Sequence, residues 1–307
     1  MPEWMTEAAL RDALAPLLPG VEILAGQEAA SDPAARARVR ALAVSRLFPG
    51  AVEGLSGLQL VQKLGAGVET IVSDPALPAR VRVARLKPDE AAREIAEYCL
   101  AYGLGHLRHV WAHAADQAAR AWRPRAPRGG DQATVAVLGL GHIGARVATS
   151  FAGLGIRTIG WSRGPKAVAG VESRHGLDAL SGVLAGADIV AAALPSTPET
   201  VDLLDAARFA VMKPGALLIN AGRGDLIVER DLLAALDAGR PGAAVLDVFR
   251  QEPLPAAHPF WTHPTVMVTP HVSGWRVDGG IGTVAENYRR LLDGRPLLHE
   301  VDRATGY

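Results

Sequence analysis

Three polar residues in the carboxyl-terminal half of the chain are of the types that carbonyl reduction requires. Arg223 lies in the segment AGRGD, Glu252 in QEPLP and His271 in PHVSG. A guanidinium can pair with a planar carboxylate and polarise the carbonyl beside it. An imidazole can give a proton to the alkoxide that forms as a hydride arrives, and a carboxylate bonded to it would orient the ring and favour its protonated form. We predict these roles for Arg223, His271 and Glu252 in turn.

Each of the three also has a purely structural explanation when it is taken alone. The chain contains nine histidines, an Arg between glycines is common in a solvated turn, and a Glu before a Pro is common in a loop. Their shared position favours the catalytic interpretation, because each follows one of a series of consecutive apolar runs. In a parallel sheet the carboxyl ends of such runs meet at one edge, where ligands bind.

The segment VAVLGLGHIG at 135–144 is the most specific motif of the chain. An apolar run meets Gly139, Gly141 and Gly144 and leads into a segment with helical spacing, as a dinucleotide-binding turn requires. The first glycine permits the tight bend, the second lets the backbone approach a pyrophosphate, and the third lets helix and strand pack closely. The N–H groups at the start of the helix would bind the phosphates. A glycine-rich turn with only a structural purpose is the alternative.

The loop after the next apolar run predicts which dinucleotide binds. NAD binders usually place an acidic residue here for the ribose 2′-OH, whereas this chain has Ser162, followed by Arg163 and Lys166. Basic side chains would attract a 2′-phosphate that a carboxylate would repel. We predict a preference for NADP(H), with NAD(H) possible, and ordinary exposed loop residues are the alternative. Asp247, at the end of the run AAVLD, is predicted to contact the nicotinamide amide.

The elements that must position these residues alternate along the chain. From residue 134 onwards, six apolar runs separated by helical stretches predict a parallel, doubly wound α/β sheet. The amino-terminal part has the shorter runs VEILAG, ALAVS, LQLVQKLGAG and ARVRVARL, which predict a second α/β unit. Long helical patterns leave and rejoin this unit, so we expect the chain to cross between the units twice. We predict a substrate domain of residues 1–97 plus 277–307 and a dinucleotide-binding domain of residues 98–276.

The composition argues against several other classes of function. The chain of 307 residues carries 32 basic and 32 acidic side chains, which gives no electrostatic footprint for nucleic acid or an anionic membrane. No run approaches the roughly 18 to 20 apolar residues of a membrane span, and the amino terminus lacks the pattern of a secretory signal. Cys99, the only cysteine, is expected to be a small core residue in a cytoplasmic protein. Clusters with metal-ligand spacing are lacking in the sequence, so we expect no metal.

Several motifs together resemble one enzyme family, the D-isomer-specific 2-hydroxyacid dehydrogenases. They are GLGHIG, LPSTPET, INAGRGDLIVERDLLAAL, LDVFRQEPLP and TPHVSG. The segments WSRGPK, LGAGVET, HPFWTHPTVMVTPHV and VDRATGY look closer still to the glyoxylate/hydroxypyruvate reductase A branch of that family. The resemblance runs from about Trp4 to Tyr307 and is dense after residue 132.

The resemblance implies a fold, a reaction and a set of catalytic residues. The fold is two Rossmann-like domains with a cleft between them, assembled as homodimers. The reaction is reduction of a small 2-oxo acid, such as glyoxylate or hydroxypyruvate, to the R (D) 2-hydroxy acid. The catalytic Arg, Glu and His of the family fall on Arg223, Glu252 and His271.

The resemblance also implies a substrate loop and further cofactor contacts. In the loop at 64–67, the backbone N–H groups of Gly65, Ala66 and Gly67 would bind the carboxylate of the acid. The substrate would also contact the catalytic Arg and His. Further residues are expected to line the cofactor, namely His142, Ile143, Leu194, Pro195, Thr200 and Ala221.

Two stretches depart from the family pattern. Members usually open with a short apolar strand, whereas this chain starts at or inside the first helix, PEWMTEAALRDAL, so that strand is absent or lies upstream. A missing strand would leave an unpaired sheet edge near the substrate loop. The segment ALAVSRLFPG has no Trp where the reductase branch tends to carry one near the substrate, and Arg46 or Phe48 takes its place in our interpretation.

Other interpretations stay open at this point. The enzyme could act on a bulkier 2-oxo acid or work as an NAD-linked oxidase of 2-hydroxy acids. A dinucleotide-sensing, corepressor-like binding protein could share the fold, although it would leave the Arg, Glu and His set without a purpose. The helices near 91–122, including Trp111 and Trp122, could form a dimer arm or pack internally.

Overall fold

The structure, a computed structural model, describes residues 6–48, 50–276 and 278–303. The chain divides into two units, one formed by Met1–Glu90 with Arg276–Tyr307 and the other by Ala91–Trp275. We call them the terminal unit and the central unit. The chain leaves the terminal unit slightly earlier than the sequence indicated, because Ile95, Ala96 and Cys99 of the helix that begins at Asp89 are buried in the core of the central unit.

The helices and strands of the described residues are as follows. The α-helices are α1 (Glu7–Leu14), α2 (Gly26–Ser31), α3 (Pro33–Arg38), α4 (Glu69–Val72), α5 (Asp89–Leu107), α6 (Val110–Ala118), α7 (His142–Gly153), α8 (Leu177–Gly186), α9 (Ala206–Val211), α10 (Glu229–Asp237) and α11 (Ile281–Leu292). The strands are β1 (Ala41–Val44), β2 (Leu60–Lys63), β3 (Arg82–Ala84), β4 (Thr134–Leu138), β5 (Arg157–Ser162), β6 (Glu172–His175), β7 (Ile189–Ala192), β8 (Leu217–Asn220), β9 (Ala243–Leu246) and β10 (Val266–Val268). Short 3-10 helices lie at Ala15–Leu17, Gly130–Gln132, Gly224–Leu226, Pro259–Trp261 and Asp278–Gly280.

The terminal unit contains a three-stranded parallel sheet in the order β1-β2-β3. One face packs on a cluster that includes Leu58, Ile71 and Leu77, and the other packs on residues of α1 and α11. The run VEILAG at 21–26 is not a strand, so the expectation that it extends the sheet is wrong for the described residues. A strand needs a hydrogen-bonded neighbour, and the partner of β1 in the described sheet is β2 alone.

The predicted absence of a first strand concerns the beginning of the chain. Residues 1–5, on which part of that prediction falls, lie outside the described residues. Helix α1 begins at Glu7, and the Thr6 hydroxyl oxygen accepts a hydrogen bond from the Ala9 N–H over 3.2 Å. This arrangement is a side-chain N-cap.

The central unit contains a seven-stranded parallel sheet in the order β10-β9-β8-β7-β4-β5-β6. Strand order reverses between β4 and β7, so successive strands move outward in both directions from β4. Such a reversal opens a crevice for ligands at the carboxyl ends of the strands. The predicted doubly wound parallel α/β fold is therefore confirmed for this unit, and the glycine turn after β4 lies at the reversal.

The inner strands of this sheet are buried on both faces. Every residue of β4, β7 and β8 is buried, and the two faces join separate apolar clusters. This explains why these strands read as continuous apolar runs. The sequence missed β6, since ESRH is polar and half-buried or exposed at the edge of the sheet. The sheet therefore has seven strands where six runs were expected.

The long helical pattern after residue 88 forms the two helices α5 and α6. His109, with a φ of 55°, separates them in a left-handed conformation. Trp111 is half-buried and stacks on Tyr102 with ring centroids 5.9 Å apart, whereas Trp122 is 97% exposed. Every helix in the described parts of the chain is too short or too polar to cross a bilayer.

Candidate active site

The glycine turn joins β4 to α7 through a close approach of backbone to backbone. Gly139 has a φ of 98°, and a Cβ there would lie 2.8 Å from the carbonyl oxygen of Ala193. A Cβ at Gly144 would lie 1.7 Å from the Gly139 carbonyl oxygen, so neither glycine can be replaced without moving the turn. Gly141, the N-cap of α7, has no atom within 4 Å of its Cβ position. That open space and the N–H groups of α7 fit a pyrophosphate.

Several of the expected cofactor residues surround this turn. His142 is exposed in the first turn of α7, Ile143 is half-buried behind it, and Ala221 is buried after β8. Leu194 is buried next to two glycines, because its Cδ2 lies 3.1 Å from the Cβ position of Gly139 and its carbonyl oxygen 2.8 Å from that of Gly222. Leu194 thus links the cofactor turn to the loop that carries Arg223.

Pro195 and Thr200 shape the loop that follows β7. The Thr200 hydroxyl donates to the Pro195 carbonyl oxygen over 2.7 Å and accepts from the Thr197 N–H over 2.8 Å. The Thr200 side chain therefore closes the loop on itself at the carboxyl edge of the sheet.

The loop after β5 contains the residues that are expected to contact the ribose of the cofactor. Ser162 is buried, and its hydroxyl donates to the Gly164 carbonyl oxygen over 2.8 Å, which fixes the start of the loop. Arg163 and Lys166 are exposed on that loop. The carboxyl end of β5 thus presents basic side chains where NAD binders usually have an acid.

His271 and Glu252 form the central hydrogen-bonded pair of the site. His271 Nδ1 lies 2.8 Å from Glu252 Oε2, and the other carboxylate oxygen accepts the Phe249 N–H over 3.0 Å. Because a carboxylate accepts, Nδ1 carries the hydrogen and Nε2 is left on the other side of the ring. The imidazole side chain is 52% exposed.

The charge of Arg223 affects the pKa of Glu252. Burial raises the pKa of Glu252, but the hydrogen bonds from His271 and Phe249 and the charges of His271 and Arg223 outweigh it and hold the pKa below its usual value. Glu252 is therefore an anion that can stabilise a charged imidazole. Glu252 thus binds His271 and is affected by the charge of Arg223, and the catalytic roles of the three residues stay predictions.

Asn220 positions Arg223 and was not predicted from the sequence. This fully buried side chain ends β8, donates to the Arg223 carbonyl oxygen over 2.9 Å and accepts the Gly222 N–H over 3.1 Å. A Cβ at Gly224 would lie 2.0 Å from the Phe249 carbonyl carbon, so this loop packs directly on the segment that follows β9. A polar residue at the end of an apolar run, LLIN, is the signal that could have found Asn220.

Asp247 holds the loop that carries His271. Its fully buried carboxylate accepts the Thr269 hydroxyl over 2.6 Å and the Val272 and Ser273 N–H groups over 2.9 Å each. His271 itself has a φ of 56° and donates its N–H to the Asp247 carbonyl oxygen over 2.9 Å. A non-glycine residue in this conformation needs such support. The predicted contact of Asp247 with nicotinamide stays a prediction.

Tyr98 extends this network into α5. Its hydroxyl lies 2.7 Å from the Thr269 hydroxyl oxygen, and burial raises its pKa above the usual value. Its neighbour Cys99 is fully buried, and burial raises the pKa of the thiol to about 12, so the thiol is a core group as expected. The sequence offered no signal for Tyr98 or Thr269, because they are far apart along the chain.

The loop at 64–67 in the terminal unit presents two backbone N–H groups. The Gly65 carbonyl oxygen accepts the Leu86 N–H over 3.0 Å, and the Ala66 carbonyl oxygen accepts Arg85 Nη1 over 3.2 Å. In a trans peptide the N–H points away from the carbonyl, so the N–H groups of Ala66 and Gly67 point away from β3. Within the described residues neither donates a hydrogen bond, and such paired amides can bind an anion.

The segment that departs from the reductase branch lies close by in the same unit. Arg46 and Phe48 are both exposed, and the guanidinium carbon lies 5.8 Å from the centroid of the Phe48 ring. Arg46 therefore covers one face of the ring in a cation–π contact.

The described residues bring no three or more His, Cys, Asp or Glu side chains into a group that could hold a metal ion. The central unit combines a hydrogen-bonded His–Glu pair, an arginine and a glycine turn of the dinucleotide-binding type. These features are those of a nicotinamide-dependent oxidoreductase with an acid as its substrate.

Comparison with known proteins agrees with that class. A family model described as "D-isomer specific 2-hydroxyacid dehydrogenase, NAD binding domain" matches residues 100–273. The glyoxylate/hydroxypyruvate reductase A of Photorhabdus laumondii is 40% identical over 258 residues, which are 82% of this chain and 82% of the relative. This chain belongs to the D-isomer-specific 2-hydroxyacid dehydrogenase family, and it is an enzyme of that family. The alternative of a dinucleotide-sensing binding protein is left without support.

Two solved structures are similar over nearly the whole chain. A D-isomer specific 2-hydroxyacid dehydrogenase from Xanthobacter autotrophicus Py2, in complex with NADPH and MES, has a TM-score of 0.90 and 36% identity and covers 98% of this chain and 96% of its own. An NADPH-dependent glyoxylate/hydroxypyruvate reductase from Sinorhizobium meliloti, in complex with NADP and sulfate, has a TM-score of 0.88 and 33% identity and covers 97% and 96%. The α/β fold of this family is thereby confirmed, and the chain contains an NAD(P)-binding domain.

Proposed function

We propose that this enzyme uses NADPH to reduce small 2-oxo acids, with glyoxylate and hydroxypyruvate as the leading candidates. The observation that carries the proposal is the 2.8 Å pair between His271 and Glu252, set beside Arg223 at the carboxyl edge of a dinucleotide-binding sheet. Relatives named for this activity support the choice of substrates. The central unit would bind the dinucleotide and the terminal unit the acid.

Each residue of the site has one task in the reaction. The guanidinium of Arg223 would pair with the substrate carboxylate and polarise the adjacent carbonyl. The resemblance to the family also assigns the backbone N–H groups of Gly65, Ala66 and Gly67 to substrate binding. NADPH, when bound, would supply a hydride for the carbonyl carbon. His271 Nε2 gives its proton to the carbonyl oxygen, so a C–H and an O–H bond form and the product is the 2-hydroxy acid. Glu252 stabilises the imidazolium before that transfer.

The preference for NADPH follows from the loop after β5. Arg163 and Lys166 offer charge to a 2′-phosphate, and Ser162 replaces the carboxylate that would repel it. The alternative is an enzyme that acts on a bulkier acid or uses NAD. The same assays would reveal either preference. The R (D) product is proposed from the family resemblance.

We further propose that the enzyme is a cytoplasmic homodimer. Trp122 is 97% exposed just after α6, and so large an apolar side chain in water is typical of a surface that another subunit covers. Val110, at the start of α6, is 53% exposed and would belong to the same surface. The single buried Cys99 suits a reducing compartment.

Steady-state oxidation of NADPH with glyoxylate and hydroxypyruvate tests the proposal. We expect turnover of both acids and a higher kcat/KM for NADPH than for NADH. Equal or better rates with NADH would refute the cofactor assignment, and no turnover of any 2-oxo acid would refute the reductase assignment. His271→Ala should lower kcat by about 10²–10⁴-fold, and an unchanged kcat would remove His271 from the mechanism.

A further inference from the structure

Arg250 connects three loops at the carboxyl edge of the seven-stranded sheet. It lies in the loop after β9, two residues before Glu252. Its Nε donates to the carbonyl oxygen of Ile227 over 2.9 Å and its Nη2 to that of Asp225 over 3.1 Å, both in the loop after β8. The same Nη2 donates to the carboxylate of Asp202, in the loop after β7. One side chain thus joins the loop of Glu252 to the two loops beside it.

The shape of the guanidinium explains how one side chain makes these contacts. Nε and Nη2 lie on the same edge of the planar group and donate side by side, and Nη2 has a second hydrogen for another acceptor. We call this edge the fork of Arg250. Ile227 is buried, so its carbonyl group needs a donor from the protein. A lysine ammonium is a compact point charge and lacks such a fork.

The loop after β8 is held both at its beginning and at its end. The 3-10 helix Gly224–Leu226 begins directly after Arg223, and its first residue packs on the backbone of Phe249. Arg250 is the next residue along the chain, and its fork binds the carbonyl groups of residues 225 and 227. The position of Arg223 relative to the loop after β9 therefore depends on the backbone packing and on the fork.

The segment from Phe249 to Glu252 carries the carboxylate of the site. The Phe249 N–H donates to Glu252 Oε1 over 3.0 Å, and Glu252 Oε2 lies 2.8 Å from His271 Nδ1. Arg250 belongs to this segment, and its own N–H donates to Glu229 Oε1, at the start of α10, over 3.5 Å. A movement of the segment would therefore change the contact between Glu252 and His271.

The ion pair of Arg250 with Asp202 is open to water. The Asp202 side chain is 53% exposed and that of Arg250 is 35% exposed. Exposed ion pairs typically contribute little to stability, whereas a hydrogen bond from a charged donor is about twice as strong as one between neutral groups. We therefore expect the two bonds to backbone carbonyl groups, rather than the ion pair, to hold the loops in place.

We propose that Arg250 is a positioning residue of the reaction, which keeps Arg223 and Glu252 in their relative places through the hydrogen bonds of its fork to the loop after β8. The inference rests on the proposed function, since it gives Arg250 a role in that reaction. It predicts that loss of the fork impairs turnover, although Arg250 itself contacts neither substrate nor cofactor.

Arg250→Met and Arg250→Lys, made in the full chain, test the inference. Methionine keeps an apolar stem without the fork, and lysine keeps the charge as well. A displacement of about 1 Å in a site can cost about 10²-fold in rate. We therefore expect kcat for glyoxylate with NADPH to fall about 10–10²-fold in both variants.

The pH profile of kcat/KM separates a positioning role from a general loss of stability. Reduction needs a protonated acid, so the rate falls at high pH. A weaker contact between Glu252 and His271 should move this fall to lower pH by about 0.5 unit or more, which is part of the roughly 1–3 units that a close opposite charge supplies.

Two further variants are matched controls. Asp202→Asn removes the charge of the ion pair but keeps an acceptor oxygen, and Asn tolerates the left-handed φ of 57° at this position. Arg208→Met removes an arginine that is 31% exposed and pairs with Asp205 on the same helix turn. Both controls should keep kcat within about threefold of the native value, as loss of an exposed ion pair implies, with the native pH profile.

Hydrogen exchange followed by mass spectrometry gives a readout that does not depend on turnover. Segments 222–228 and 249–252 should exchange faster in both Arg250 variants, and α11 in the terminal unit should exchange at the native rate. If Arg250→Met does not fold, Arg250→Lys decides the question.

Three results would overturn the inference. They are native kcat in Arg250→Lys, a loss of kcat in Asp202→Asn as large as that in the Arg250 variants, and unchanged exchange of both segments. If the native enzyme reduces no 2-oxo acid, the proposed function has failed, and the exchange rates still show whether Arg250 holds the loops.

Discussion

Replacement of Asp247 by Asn tests whether the loop that carries His271 depends on a buried carboxylate. One oxygen of Asp247 accepts the Thr269 hydroxyl and the Val272 N–H, and the other accepts the Ser273 N–H. An amide keeps one acceptor oxygen but turns an NH₂ group towards one of these donors. If the oxygen stays with Thr269 and Val272, two donors then face each other at Ser273 in a fully buried place.

The expected cost follows from these three hydrogen bonds. An unsatisfied buried donor costs about 1–3 kcal/mol, and two bonds that lose a charged acceptor each weaken by about 1 kcal/mol. Removal of a buried charge offsets part of this loss, so we expect the free energy of unfolding to fall by about 2 kcal/mol. For a unit of this size the thermal midpoint should fall by roughly 4–8 °C.

The activity should fall more steeply than the stability. A displacement of His271 by about 1 Å can cost about 10²-fold in rate, so kcat for glyoxylate should drop by about that factor in Asp247→Asn. Thermal unfolding followed by circular dichroism and steady-state kinetics on the same preparation measure both effects. Asp178→Asn, on the exposed first turn of α8, is the matched control and should change neither. An Asp247→Asn enzyme with the native midpoint and the native kcat would refute the reasoning.

Three further variants test the cofactor site and the core. Gly144→Ala places a Cβ against the Gly139 carbonyl oxygen, so the KM for NADPH should rise at least tenfold, and a native KM would contradict the close packing of the turn. Arg163→Ala combined with Lys166→Ala should raise the KM for NADPH more than that for NADH, whereas equal effects would mean that the loop does not contact the 2′-phosphate. Burial raises the pKa of Asp188, but hydrogen bonds from Lys213, Thr134 and Arg128 outweigh it and leave the pKa below its usual value. A carboxyl with a lowered pKa stabilises the fold above its unfolded pKa of about 3.9 and loses this effect as the pH falls through the folded value. Urea unfolding between pH 3 and 7 should therefore show an acid-side loss of stability that is smaller in Asp188→Asn, and identical pH dependence in both proteins would contradict this.

Much of the central unit could be predicted because its signals are local. The buried strands β4, β7 and β8 are continuous apolar runs, and the glycine turn has a spacing that few other structures need. The sequence did not predict the polar edge strand β6, and it wrongly predicted a strand at 21–26. Both errors arise because a strand depends on its neighbour as much as on its own composition. The register of β1 and β2, which brings Lys63 beside Val44, is likewise a property of the pair.

By itself, the sequence determined the class of chemistry, the dinucleotide turn and the parallel order of the strands, because residue type and short spacing specify these. Only the tertiary structure decided how the site is held together. His271 and Glu252 are 19 residues apart, and Tyr98 and Thr269 are 171 apart. Such contacts depend on which loop lies over which strand end, and hydrogen bonds between distant residues require distances and angles that no local pattern specifies.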